Sequence, residues 1–246
     1  MSPDIRLIVE CCKKEQDKIE IKNCISKIND WSFFINLSFS HGIFPLVYHT
    51  LKQYQELIPS DIIESMKSNN MDIVKQNMLM TSELIKVMKL LEENGIEAIS
   101  FKGPVLSQMA YGDIVSRQYV DLDILVHEKD LSRAENFLLQ NNYKEQYILT
   151  EYQKENLKDV VHDRPFINKK NGINVELHWT LSSSEFFMNL DKLDYFNNTI
   201  SYDLKKQNLK VLSNEIHFIY LCIHGNKHMW ERIEWLLDLT LFIKRE

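Results

Sequence analysis

The stretch from Phe101 to Val126, FKGPVLSQMAYGDIVSRQYVDLDILV, constrains the fold more than any other part of the chain. It opens with Lys102-Gly103-Pro104 after the apolar-leaning run Ile96 to Phe101, a pattern that reads as strand, sharp turn and helix start. Gly103 lets the backbone turn tightly or approach a ligand closely, and Pro104 suits a first helical position, where no N–H is needed. A helix starting there presents unpaired N–H groups and the positive end of its dipole to an anion, and Lys102 adds a full charge beside them. The stretch closes with Val120-Asp121-Leu122-Asp123-Ile124-Leu125-Val126, whose β-branched and leucine content predicts a strand buried on at least one face.

Alternation along that strand points Asp121 and Asp123 to one side, with Leu122 and Ile124 on the other. Two carboxylates held side by side repel, and a divalent cation relieves the repulsion. Hard oxygen ligands suit Mg²⁺, which takes one or two carboxylates together with phosphate oxygens of a substrate. The competing reading of Asp-x-Asp is a polar strand edge at the surface.

The flanking sequence predicts helices before this stretch and a hairpin after it. Helical spacing marks Asp4 to Cys12, Asp17 to Ile28, Trp31 to Leu37 and Leu46 to Tyr54, followed by one long helix from about Ile62 to Asn94 that Gly95 ends. Strands are expected at Ile96 to Phe101 and Tyr119 to Val126, with a helix from Pro104 to Tyr111 between them and an amphipathic helix from Lys129 to Asn141 after them. Val161 to Asn168 and Ile173 to Leu181 then read as a hairpin closed at Asn171-Gly172. Glu176, His178 and Thr180 face one way in its second strand, which makes Glu176 a third carboxylate opposite Asp121 and Asp123. His178 either lies near an acceptor or hydrogen-bonds beside the sheet. The His162-Asp163 dipeptide resembles the metal pair of HD hydrolases, but such sites need further ligands on helices and this pair sits in a hairpin.

Ser182 to Asp203 reads as a connection with a short helix around Leu190 to Phe196. A short strand at Leu209 to Leu212, a helix from near Asn214 and a further helix from Leu236 to Ile243 complete the chain. His224 and His228 stand four apart, the spacing of a helical zinc pair, but Gly225 occupies the place of the glutamate a metalloprotease needs. They either line a cleft or pack against Trp230 and Trp235.

Across 246 residues the net charge is −6, which argues against extended nucleic-acid binding. Cys11, Cys12, Cys24 and Cys222 match no zinc or disulfide framework, no run reaches the roughly 18 apolar residues of a membrane span, and the first residues lack signal-peptide features. These features predict a cytoplasmic protein. Its abundant Asn, Lys and Ile suggest an AT-rich bacterial or archaeal genome.

Lys102-Gly103, Arg117, Asp121-Leu122-Asp123 and Glu176-Leu177-His178-Trp179, in that order and spacing, resemble the nucleotidyltransferase superfamily typified by DNA polymerase β. The closer resemblance is to a bacterial branch of uncharacterised nucleotidyltransferases. It covers about Glu97 to Leu181 well and Ile216 onward more loosely. The resemblance implies an α+β fold in which a small mixed β-sheet core, residues 96–212, is flanked by helical regions at 1–95 and 213–246, and members of the resembled family often run on beyond the latter.

The implied activity is Mg²⁺-dependent transfer of a nucleoside monophosphate, AMP from ATP, to a hydroxyl of a small-molecule acceptor. Asp121, Asp123 and Glu176 would hold two Mg²⁺ ions and carry the catalysis, and Lys102, Gly103 and Arg117 would bind the phosphates. For Arg117 the alternative is a salt bridge to a carboxylate. Many superfamily members carry a small hydroxylated residue after the glycine, where this chain has Pro104, so one phosphate hydrogen bond is lost and more falls to Lys102. Transfer to a protein or peptide hydroxyl, and a non-enzymatic nucleotide-binding module, are the competing functions.

Overall fold

A computed structural model describes residues 1–158, 160–181 and 193–244. The short helix expected around Leu190 to Phe196 begins outside these residues, and Tyr195 to Asn197 form a turn. The chain forms two compact units, one of residues 1–78, 109–119 and 222–246 and one of residues 79–108 and 120–221.

The first unit is helical. Helices α1 (Pro3–Cys12), α2 (Lys18–Ile25), α3 (Trp31–Ser40) and α4 (Phe44–Leu51) are followed by a 3-10 turn at Lys52–Leu57 and by α5 (Ser60–Glu93), whose residues up to 78 belong here. Ser2, Asp17 and Asp30 each accept hydrogen bonds from backbone N–H groups of the first helical turn, so three of these starts carry the side-chain cap that short helices need. Leu7, Ile8, Ile21, Phe34, Phe44, Val47, Leu51 and Met66 are fully buried together, and Ile233 and Leu237 of α10 (Ile233–Lys244) pack against them. The segment 109–119 is pinned from within this unit. Asn77 donates to the carbonyls of Ile114 and Arg117 at 2.9 and 2.8 Å, and the Tyr119 hydroxyl donates to that of Ile114 at 2.9 Å.

The second unit carries a seven-stranded mixed sheet in the order β3-β4-β5-β2-β1-β7-β6. Its strands are β1 (Ala98–Ser100), β2 (Asp121–Val126), β3 (Tyr143–Glu145), β4 (Asp163–Asn168), β5 (Asn174–His178), β6 (Thr199–Leu204) and β7 (Gln207–Leu212). Between them lie α6 (Gly103–Leu106), α7 (Leu131–Gln140) and α8 (Glu151–Leu157), and α9 (Asn214–Lys227) follows β7. β2 pairs antiparallel with β1 and parallel with β5, so it has hydrogen-bonded neighbours on both edges. Leu122, Ile124, Leu125 and Val126 are fully buried, in keeping with the near-continuous apolar run of an interior strand. α7 turns Leu131, Ala134 and Leu138 inward at the spacing of one helical face.

Three expectations change. The second strand begins at Asp121 rather than Tyr119, because Tyr119 is held in the helical unit by its hydroxyl. The helix expected from Pro104 to Tyr111 is α-helical only to Leu106 and continues as a π-turn over Ser107–Tyr111. The connection expected through Asp203 contains β6, which pairs with β7 across a turn in which Lys205 and Lys206 both adopt positive φ, 53° and 67°. Among the described residues no helix is long and apolar enough to cross a membrane.

Candidate active site

The site begins with a register. Parallel pairing of β2 with β5 sets Asp121 opposite Asn174, Asp123 opposite Glu176 and Leu125 opposite His178. Residues directly opposite in a sheet share a face. Asp123, Glu176 and His178 therefore converge, and one ligand atom from each lies within 4.8 Å of the others. Asp121, two residues before Asp123, shares that face by alternation.

Asp123 is buried, at 1% exposure, and its two oxygens have different surroundings. Oδ1 accepts from Lys102 Nζ at 2.8 Å and lies 3.1 Å from His178 Nε2. Oδ2 is buried and has no hydrogen-bond partner. Burial opposes ionisation of this carboxyl, but the Lys102 charge and the His178 contact outweigh it and hold Asp123 well below the usual carboxylate range. Burial likewise opposes the charge on Lys102, and Asp123, with help from Tyr220 and Asp121, reverses this and raises the ammonium well above its ordinary value. The repulsion expected from Asp-x-Asp alone is thus relieved at Asp123 by a lysine.

Glu176 shifts the other way. Burial, then the charges of Asp123, Asp121 and Asp163, push its carboxyl up to about 8. Its Oε2 stands 3.7 Å from His178 Nε2. The two shifts have separate causes, the Lys102 charge at Asp123 and burial at Glu176.

Gly103 opens α6 with φ +54°, a conformation that L side chains rarely adopt, so this turn favours glycine. Pro104 takes an early helical position without losing a hydrogen bond. Lys102 is the N-cap residue of α6, so the turn sets its ammonium beside Asp123.

A family profile described as uncharacterised nucleotidyltransferase matches residues 27–246. The chain belongs to that family. None of the curated proteins matches it. Among solved structures, the lincosamide antibiotic adenylyltransferase LnuA, lincomycin-bound, is 13% identical with a TM-score of 0.47, covering 67% of this chain and 97% of its own. ANT(2'')-Ia in complex with adenylyl-2''-tobramycin is 9% identical with a TM-score of 0.48, covering 68% and 88%. An antigenic nucleotidyltransferase-like protein from Paracoccidioides brasiliensis is 12% identical with a TM-score of 0.43, covering 67% and 74%.

In this nucleotidyltransferase the remaining sequence candidates lie in the helical unit. Arg117 is buried, and its Nε and Nη2 donate to the two carboxylate oxygens of Asp238 at 2.8 Å each, so of the two readings left open for it the structure contains the ion pair. Tyr111 donates to the same carboxylate at 2.8 Å. His224 and His228 pack on each other, with ring centroids 4.9 Å apart, and on Trp235 at 5.6 and 4.9 Å. Gly225 between them has a structural reason to lack a side chain, since a Cβ there would come within 2.3 Å of the Trp230 ring.

Tyr220 escapes a reading by motif, and the motif of His162-Asp163 does not tell that the pair meets His178. Tyr220 lies with its ring 5.9 Å from the Lys102 ammonium and edge-on to Phe101, and its helical run reads only as apolar core. His162 and Asp163 reach His178 because β4 pairs with β5, placing Asp163 opposite His178. The Asn171-Gly172 hairpin signal, extended to its register, was the available clue.

Proposed function

We propose that this protein transfers a nucleoside monophosphate, AMP from ATP, to a hydroxyl of a small-molecule acceptor, with Mg²⁺ held by Asp121, Asp123 and Glu176. The observation that carries the reading is the pairing of Asp123 with Glu176 across β2 and β5 with the Lys102 ammonium on Asp123. The donor set fits the ion. The two carboxylates that approach one another are oxygen ligands, as Mg²⁺ prefers, and the buried Oδ2 of Asp123 lacks any other partner. When bound, the cation supplies charge stabilisation for the transferring phosphoryl group.

The chain's own residues supply the rest. Lys102 neutralises Asp123 in the ligand-free protein and offers its charge to the triphosphate once Asp123 has another cation. Gly103 brings the backbone at the start of α6 close to the phosphates. Glu176, beside Asp123 across the β2–β5 pairing, would be ionised by the bound cation and so placed to accept a proton from an acceptor hydroxyl. His178 holds Asp123 in place through Nε2. Arg117 braces segment 109–119 against α10.

Incubation with each α-phosphate-labelled nucleoside triphosphate, Mg²⁺ and a cell extract tests the proposal. Label from ATP should move into a small-molecule fraction and should fail to do so with Asp123→Asn. Label found only in protein would transfer the acceptor to the peptide class, and no Asp123-dependent label would end the enzymatic reading.

A further inference from the structure

On the β4 side of His178, the same unit brings together a second set of ligand atoms with different chemistry. His162, Asp163 and His178 each offer one atom, and the three lie within 4.8 Å of one another. The His162 Nε2 to Asp163 Oδ2 separation is 3.4 Å, which is the edge expected, about 3.4 Å, between two ligands at about 2.1 Å from a tetrahedral metal. The rings of His162 and His178 have centroids 5.7 Å apart.

His178 provides the independent observation. It is 3% exposed, and its Nε2 lies 3.1 Å from Asp123 Oδ1. A neutral imidazole that donates from Nε2 carries its lone pair on Nδ1. That atom is buried and has no hydrogen-bond partner. A carboxylate bonded to one nitrogen of a histidine whose other nitrogen is a lone-pair donor is the arrangement that orients a metal-bound imidazole and raises its basicity.

We propose that His162, Asp163 and His178 form a second cation site, for a transition ion of the Zn²⁺ class, which shares His178 with the acidic cluster of Asp123 and Glu176. Two imidazoles and one carboxylate suit Zn²⁺, whereas Mg²⁺ prefers all-oxygen surroundings, so ligand chemistry sorts the two cations. A cation at this site fixes the His178 ring, and through it the carboxylate of Asp123. The site does not depend on nucleotidyl transfer, because its three ligands come from β5 and the start of β4 and the Asp123 carboxylate only orients His178.

The metal alone is the probe. Zn²⁺ affinity of the full chain, stripped of metal and without nucleotide, is measured by competition with a chromophoric chelator, and Co²⁺ replaces Zn²⁺ for absorption spectroscopy. His162→Ala and Asp163→Asn should each weaken Zn²⁺ binding by about 30-fold or more and abolish the visible Co²⁺ bands, since a three-ligand site loses one ligand. Glu97→Gln, a carboxylate paired with Lys210 and His127 and with none of the three ligands, should leave Zn²⁺ affinity within about threefold. Unchanged circular dichroism and melting of the metal-free His162→Ala protein confirm that the loss is local. Failure of the wild-type chain to compete with the chelator overturns the proposal. So does Zn²⁺ binding that survives both His162→Ala and Asp163→Asn but is lost in Glu176→Gln.

Discussion

Lys102 has two jobs in this reading, and the first is testable without any ligand. Replacing it with Met keeps the length of the apolar stem near Phe101 and Tyr220 but removes the charge that sits 2.8 Å from Asp123 Oδ1. At that separation the gross attraction is about 6 kcal/mol for an effective dielectric of about 20, and desolvation of the ammonium offsets much of it. The lysine side chain is 16% exposed and the aspartate side chain 0%, so the pair behaves as a buried one. Removing one partner of a buried pair costs about 3–5 kcal/mol, and the remaining His178 contact places the expected loss near the lower value. A loss of about 3 kcal/mol lowers Tm by roughly 6–12 °C in a domain of this size. Asp123→Asn in the Lys102→Met background should recover at least half of the loss, because it removes the stranded charge.

The pH dependence has a definite sign. Asp123 has a depressed folded pKa, so its contribution is fully present above the ordinary carboxylate value and is lost as pH falls through the folded one. The gap between wild type and Lys102→Met should therefore be full at pH 7 and narrow as pH drops below about 4. Mg²⁺ should raise the melting temperature of the variant more than that of the wild type, since it replaces the missing positive charge. Thermal and urea unfolding in chelator, with and without added Mg²⁺, measure all three effects. A gap below about 1 kcal/mol at pH 7, or a double variant no more stable than Lys102→Met, would refute the assignment of Lys102 as the counter-ion of Asp123.

Glu176 predicts the opposite trend: its folded pKa is raised to about 8, so the metal-free protein should lose stability as pH climbs from the ordinary carboxylate range through about 8, and urea unfolding of Glu176→Gln should show a flatter profile over that window. Arg117→Met strands the buried Asp238 carboxylate and should cost about 3–5 kcal/mol in thermal unfolding, while Arg117→Lys, which cannot reproduce the two parallel bonds, should recover only part of it.

Much of the acidic site was legible because strand alternation is a strict rule. It set Asp121 with Asp123 and Glu176 with His178, and the Asn171-Gly172 turn announced the hairpin that carries the second pair. What pattern does not contain is the partner of a long side chain. Nothing near Lys102 indicates that its ammonium rests on Asp123, which depends on β1 and β2 pairing with Ser100 opposite Ile124. Arg117 and Asp238 are 121 positions apart, beyond any local spacing rule. β6 was missed for a different reason: its turn uses two positive-φ lysines where Asn or Gly would have advertised a tight hairpin.

The accuracy of the site is set from the opposite side of the sheet. Leu122 and Ile124 on β2 and Val175 and Leu177 on β5 are all fully buried, and they alternate with Asp121, Asp123, Glu176 and His178. A slip of one residue between β2 and β5 would exchange the faces, driving a carboxylate into the apolar layer and exposing leucine or valine in its place. Burial of each of these apolar side chains stabilises the correct register by about 1.5–3 kcal/mol, so four of them make the slipped pairing inaccessible. Val175→Thr is therefore an informative lesion: it touches no acidic residue, yet weakening the apolar layer should loosen the Asp123 to Glu176 alignment, and the alignment rather than the mere presence of the carboxylates is what a shared cation requires.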